Sequence, residues 1–247
     1  MRLIDGVHLV GGGDLGFGLS HRSDGHIYAI ASAGEVALID VGTGLDTDSV
    51  VGHLREDGLD PDAISRLFVT HYHPDHAGGL AAWRRLTGAA VFAGRDGAAA
   101  IEAGDEETCG LAAGRRAKLY PQDWRLEACP VDTKLDDDWT MQIGTLTVRA
   151  ISTPGHCRGH TSFLVTGAPV PVLFSGDAVF WGGAVALQNV PDVSIPESAE
   201  SLERLLQLEF DGLLPGHLTI SLANGRRHVE AAAQHFRNLR LPPPLVP

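Results

Sequence analysis

The chain has 247 residues, of which 44% are hydrophobic, enough to bury a core and well outside the range of intrinsic disorder. Its formal net charge of −12 is the opposite of the basic footprint that a nucleic-acid binder carries. Cys109, Cys129 and Cys157 form no C-x-x-C pair, residues 1–10 are interrupted by Arg2, Asp5 and His8, and no run reaches the length of a membrane span, so a disulfide framework, an export signal and a transmembrane helix are not expected.

Residues 3–10 read as a short strand closed by Gly11-Gly12-Gly13. Two apolar runs, 26–33 and 35–41, meet at Gly34 and predict a hairpin. Residues 46–58 predict a helix, with Asp46 or Thr47 as cap and Gly58 just past its end. A buried strand over 65–70 runs into His71-Tyr72-His73-Pro74-Asp75-His76, followed by a helix over 77–86 and a strand over 89–93. The stretch 94–138 carries a weaker signal: a helix start at 98–103, an acidic run at 102–107, basic Arg115, Arg116 and Lys118, then Tyr120 and Trp124. It is expected to be an irregular or helical excursion that covers the pocket, with the loop 178–195 helping to shape it. Strands return at 146–152, 161–166 and 170–175. The amphipathic helix at 195–208 starts at Pro196 and buries Leu202, Leu205, Leu206 and Leu208. A brief strand at 212–214 leads to Pro215-Gly216-His217, a last helix spans 224–239, and the prolines that follow make 241–247 a tail. Each half has strands first and helices outside, which predicts two sheets face to face in one α/β domain over 1–247.

The positions 71–76 hold three imidazoles and a carboxylate. Burying so many ionisable groups together is costly unless each is paired, and a pair of metal ions would pair them. Residues two apart at a strand end point the same way, so His71 and His73 can grip one ion. A turn at Pro74 swings Asp75 and His76 towards a second. His156, Asp177 and His217 each follow a glycine on a loop after a predicted strand. Sorted by type, one ion takes His71, His73 and His156, the other takes Asp75, His76 and His217, and Asp177 bridges both. Neutral imidazole and carboxylate suit Zn²⁺, and also Fe or Mn. Two such ions about 3.5–4 Å apart can share a hydroxide, because bound water ionises near a pH of roughly 7.

The series His71-x-His73-x-Asp75-His76, Pro-Gly-His156, Ser-Gly-Asp177 and Pro-Gly-His217 resembles the metallo-β-lactamase-fold superfamily of metallohydrolases, in the family's order, over roughly residues 26–217. The resemblance implies a four-layer αββα sandwich with two divalent ions, zinc above all, at one edge. It implies that Asp40 orients a ligand from behind and that His160, in Gly159-His160-Thr161, lies near the site. The implied activity is hydrolysis of a small lactone or thioester: a metal-bound hydroxide attacks the acyl carbon, a metal takes the oxyanion, and Asp75 or a bound water handles the leaving group's proton, with Asp177 beside it.

Glyoxalase II thioesterases resemble the chain over 71–79 and 153–160, but follow the last histidine with Glu-Tyr-Thr where this chain has Leu218-Thr219-Ile220. Quorum-signal lactonases place a tyrosine three residues after the bridging aspartate, where this chain has Phe180. Two other readings stand beside the hydrolase: a mononuclear iron dioxygenase of persulfide-dioxygenase type, and a non-catalytic metal-binding scaffold. The expected setting is cytoplasmic, with a small-molecule substrate, no nucleic-acid or membrane partner, and a homo-oligomer compatible with the sequence. Cys157 reads as a small buried residue. Arg115, Arg116 and Lys118 read as a solvated helix face, and His8, His21, His26, His53, His228 and His235 as surface or loop groups. A reach into the site from their strand is a second reading for His26 and Tyr28, and Trp181 reads as either pocket wall or core.

Overall fold

Four antiparallel strands open the chain: β1 (Arg2–Ile4), β2 (Val7–Gly11), β3 (Ile27–Ser32) and β4 (Glu35–Ile39). From β4 onwards the pairing is parallel, and parallel neighbours need a crossover long enough to return the chain to the same end of the sheet. Helix α1 (Thr47–Glu56) leads to β5 (Ile64–Val69), and α2 (Pro74–Ala77) with α3 (Leu80–Thr87) leads to β6 (Ala90–Gly94). Helices α4 (Arg95–Ala103) and α5 (Leu111–Arg116) precede the edge strand β7 (Thr133–Leu135). The seven strands lie in sequence order. A second sheet follows from β8 (Thr140–Ile143), β9 (Leu146–Ser152), β10 (Thr161–Thr166) and β11 (Val172–Gly176), all antiparallel. Helix α6 (Ile195–Leu205) crosses to β12 (Gly212–Pro215), which pairs parallel with β11, and α7 (Arg226–Arg237) packs outside. This is a computed structural model, and it describes residues 1–187 and 192–245.

The inner faces of the two sheets meet through Tyr28, Ile30, Ile39, Phe68 and Phe92 on one side and Val148, Phe163, Val165 and Phe174 on the other. Phe68 lies 5.0 Å from Phe92 within its sheet and 5.5 Å from Phe163 across the gap. The outer face of the first sheet packs Ala29, Leu38, Leu67 and Val91 on Val50, Leu54, Leu80 and Trp83 of α1 and α3. The second sheet covers its outer face with Leu202 and Leu205 of α6 and Val229 and Ala232 of α7. The result is the expected four-layer αββα sandwich. Strands buried on both faces read as continuous apolar runs, which is why the period-two pattern is weak along β3 and β4.

Several local expectations change. The strand expected at 3–10 is two strands around a turn at Asp5-Gly6. The helix expected over 77–86 is interrupted, because Gly78 and Gly79 separate α2 from α3. Within 94–138, α4 packs on the sheet and β7 extends it beside β6, so the excursion proper lies between them. A three-residue strand is too short for periodicity to reveal. His8, His26 and His228, expected at the surface or in loops, are buried. Arg115 is not on a solvated face; it is half-buried and ion-paired with Glu106. Trp181 is not core: it is 50% exposed, and its ring is tilted beside that of His228 at 5.5 Å. The expected tail docks, with the Val185 N–H donating to the Pro243 carbonyl at 3.1 Å and Leu245 packing on the cluster of Phe180, Ala184 and Ala186. Residues 188–191 of the loop 178–195 and 246–247 of the tail lie outside the described residues.

Candidate metal centre

Each residue singled out for the site follows the carboxyl end of a strand. Asp40 follows β4, His71 to His76 follow β5, His156 follows β9, Asp177 follows β11 and His217 follows β12. Strands β9, β11 and β12 run in the same direction, so their loops emerge together and meet those of β4 and β5 at one edge. The carboxyl ends of parallel strands are where open α/β sheets place ligands.

Hydrogen bonds fix the tautomers, and the tautomers show what the cluster is built to receive. The His156 Nδ1–H donates to the Ala186 carbonyl at 3.0 Å, which leaves its Nε2 with a bare lone pair. Thr70 Oγ1 donates to Asp40 Oδ2 at 2.8 Å, so it accepts from His71 Nδ1–H at 3.0 Å, and His71 Nε2 is bare as well. Both bare nitrogens point at His73 Nδ1, each at 3.0 Å. One proton on His73 could satisfy only one of them. Converging imidazole lone pairs are stable around a cation, and the donor set fits a divalent metal.

A second set adjoins the first. The His76 Nδ1–H donates to Asp40 Oδ2 at 2.8 Å, turning Nε2 towards His217 Nε2 at 3.2 Å. Asp75 Oδ2 is 3.2 Å from that His217 nitrogen and 3.6 Å from His76 Nε2. Asp177 lies between the sets: Oδ1 is 3.5 Å from His76 Nε2, and Oδ2 is 3.5 Å from His217 and 3.8 Å from His156. Asp177 Oδ1 is buried without a hydrogen-bond partner, and a buried carboxylate oxygen left unpaired is expensive unless a cation faces it. The donor atoms of His71, His73 and His156, of His71, His76 and Asp177, and of Asp75, His76 and His217 lie within 4.8 Å of one another in each trio.

Asp40 and His160 hold this arrangement from behind. Asp40 sits at a φ of 59°, a strained conformation for a residue with a side chain. There its Oδ1 accepts the Thr70 N–H at 2.7 Å while Oδ2 holds His76. His160 Nε2 accepts the backbone N–H of Asp177 at 3.0 Å, and its Nδ1–H reaches Thr153 Oγ1 at 2.9 Å. His160 therefore stays neutral; burial, then the charge of His156, holds its pKa well below the usual imidazole value.

The electrostatics of the two sets differ. Burial lowers His71 well below its usual pKa and His73 to about 4, with neighbouring imidazoles adding to the effect. Burial would also lower His76, but the carboxylates of Asp177, Asp75 and Asp40 outweigh it and raise the group to about 10. Burial alone would raise Asp75 and Asp177; the facing histidines overcome it and hold both below the carboxylate range. A field that favours a proton on His76 favours a metal cation in the same place.

The seven candidate ligands thus come together, with Asp40 and His160 behind them. Sequence reasoning left three groups near the site unassigned. Tyr120 OH donates to Asp75 Oδ1 at 3.0 Å. Asp24, buried, ties the loop before β3 to Thr43. Asp192 accepts from Tyr72 OH and lies near His73 and Cys157, which is buried as expected. Tyr120 and Asp192 stand on irregular segments with no periodic or motif signal. Asp24, in Ser23-Asp24-Gly25, looks like an ordinary turn residue.

The family model described as "Metallo-beta-lactamase superfamily" matches residues 22–217. Among curated proteins, a hydroxyacylglutathione hydrolase of Pseudomonas putida (strain GB-1) is 32% identical over 120 residues, covering 49% of this chain and 35% of that protein. One from Pseudomonas savastanoi pv. phaseolicola (strain 1448A / Race 6) is 29% identical over 196 residues, covering 78% of this chain and 61% of that protein. The chain spans between about a third and three-fifths of the length of these relatives. Among solved structures, a metallo-beta-lactamase of Cronobacter sakazakii superposes with a TM-score of 0.74 at 22% identity, covering 97% of this chain and 96% of that one. A subclass B3 metallo-beta-lactamase of Bradyrhizobium japonicum gives 0.72 at 21% identity, covering 97% and 92%. Identities this low carry the fold alone, but the family match spans both halves of the sandwich and all seven candidate ligands, and the chain belongs to the metallo-beta-lactamase superfamily.

Proposed function

We propose that the chain is a metal-dependent hydrolase of small acyl compounds, with a thioester as the substrate class. His71, His73 and His156 would hold one divalent ion, Asp75, His76 and His217 a second, and Asp177 both, with Zn²⁺ the best match to the donors. The observation that carries the reading is the convergence of imidazole nitrogens whose opposite ring nitrogens are already bonded. When bound, such ions acidify a water to near neutral pH and take up charge on a polarised carbonyl oxygen.

The chain's own residues do the rest. Asp40 and the Ala186 carbonyl aim His76 and His156, and the His160 imidazole holds the Asp177 backbone. Of the two catalytic carboxylates, Asp75 is the more accessible, its side chain 18% exposed against 5% for Asp177. Asp75 is therefore the carboxylate nearer to an entering substrate, and it or a bound water would pass a proton to the leaving sulfur, while Asp177 would keep the two sets in register. The curated relatives favour a thioester over a lactone. Phe180 points the same way: its ring lies 6.4 Å from that of His217 and brings no hydroxyl to the site. Glutathione itself is a weaker choice, because Leu218-Thr219-Ile220 replaces the Glu-Tyr-Thr of the thioesterases that use it.

The test is metal analysis of the purified protein together with a panel of thioesters, lactones and β-lactams. Two divalent ions per chain and preferential thioester cleavage are expected. One iron per chain with oxygen consumption, or no hydrolysis by protein loaded with two ions, overturns the reading.

A further inference from the structure

The excursion between α4 and β7 ends in a contact that the ligand count does not require. Tyr120 OH donates to Asp75 Oδ1 at 3.0 Å, while Asp75 Oδ2 faces His217 and His76. The carboxylate is thus divided, with one oxygen held by the phenol and the other turned to the imidazoles. We infer that Tyr120 is a positioning residue for Asp75, keeping it a one-oxygen ligand to the His76–His217 side of the centre. The inference rests on the two-ion reading above.

The excursion is built to hold this ring. Arg115 pairs with Glu106 and donates from Nη1 to the Trp124 carbonyl at 3.0 Å, and Gln122 Nε2 donates to the Arg115 carbonyl at 2.7 Å. Leu126 N–H adds a bond to Glu106 Oε1 at 3.1 Å. Two glycines admit the aromatic rings. Gly114 lies inside α5, where glycine costs about 1 kcal/mol relative to alanine. A Cβ there would come within 2.4 Å of the Tyr120 ring carbons, so the ring rests directly on the helix backbone. Gly78, just after α2, meets Trp124 in the same way, with a Cβ 2.8 Å from the indole. The Tyr120 and Trp124 rings are 5.4 Å apart, so both brace one unit against the segment that carries Asp75 and His76. The hydroxyl is fixed from the α5 side and the carboxylate from the α2 side. Without the phenol, Asp75 is free to rotate and to offer both oxygens, or neither.

The experiment compares wild type, Tyr120→Phe and Gly114→Ala as full-length protein, titrated with Zn²⁺ against a chromophoric chelator and with Co²⁺ by visible absorption. Wild type is expected to take two equivalents. In Tyr120→Phe the tighter equivalent should be unchanged and the other weakened by about tenfold or more, the range for removing a group that orients a metal ligand. The Co²⁺ spectrum should change for that equivalent alone. Gly114→Ala keeps the hydroxyl but displaces the ring, and should weaken the same equivalent. Two equivalents bound by Tyr120→Phe with wild-type affinity overturn the assignment. So does a Tyr120→Phe protein that is unfolded before metal is added, since the hydroxyl would then be supporting the excursion rather than the carboxylate. A wild type that stops at one equivalent overturns the two-ion reading and this inference with it, and is recognised in the wild-type titration before any variant is made.

Discussion

His26 shows how far one residue's chemistry depends on its surroundings. Its Nδ1–H donates to the Pro215 carbonyl at 2.9 Å, while Nε2 is buried without a partner. Burial is the main cause that lowers its pKa to about 4, against the hydrogen bond to Pro215, which raises it. The unfolded chain takes up this proton below about pH 6.5 and the native chain only near pH 4. The unfolded state therefore binds more protons across that window, and the stability His26 contributes is present above pH 6.5 and lost as pH falls towards 4. The loss is on the order of 3 kcal/mol across the window. Urea unfolding at a series of pH values should show a shallower slope between those limits in His26→Asn than in wild type; identical slopes would show that this imidazole is charged in both states. The sequence read His26 first as a surface or loop group and could not show it buried and neutral, because that depends on a carbonyl 189 positions away.

At the scale of elements, the loops matter more than the strands they join. Asp24 fastens the segment before β3 to the exit of β4: Oδ1 accepts the Thr43 N–H at 2.7 Å and its hydroxyl at 2.6 Å, and Oδ2 accepts the Ser20 hydroxyl at 2.6 Å. Gly25 N–H then donates to the Asp75 carbonyl at 2.9 Å, and His26 N–H to that of Gly216 at 2.7 Å, so this one segment touches ligand loops from both halves. Asp24→Ala strands a buried N–H and hydroxyl and should cost about 3 kcal/mol, measured as a lower urea midpoint with an unchanged slope. A loss below about 1 kcal/mol would mean that water replaces the carboxylate. The β3–β4 hairpin, α1 and α6 were readable because caps, glycines and hydrophobic period agree there. The break between α2 and α3 and the edge strand β7 were not, because in both places tertiary contacts outweigh local propensity.

The whole molecule is two half-sandwiches whose donors meet at one edge. His71, His73, Asp75 and His76 belong to the first sheet, and His156, Asp177 and His217 to the second. A cation held by both would cross-link them in the native state alone. At a thousandfold excess over its Kd, each ion should add about 4 kcal/mol of stability. Thermal unfolding with Zn²⁺ and after chelation should therefore show a clear rise in Tm with metal, and Asp177→Ala should reduce that rise most, because its carboxylate faces both sets. Equal Tm values with and without metal would mean that the converging side chains hold no ion.

The sequence alone determined the donor chemistry and the sandwich, because residue type, the two-residue step of a strand end and the run of apolar segments are all written locally. Only the tertiary structure decided which nitrogen of each histidine is bare, how the two oxygens of Asp75 are divided and what stands behind them. Those are questions of hydrogen-bond partners, and the partners of His76 lie 36 and 141 positions away, a distance that no local pattern spans.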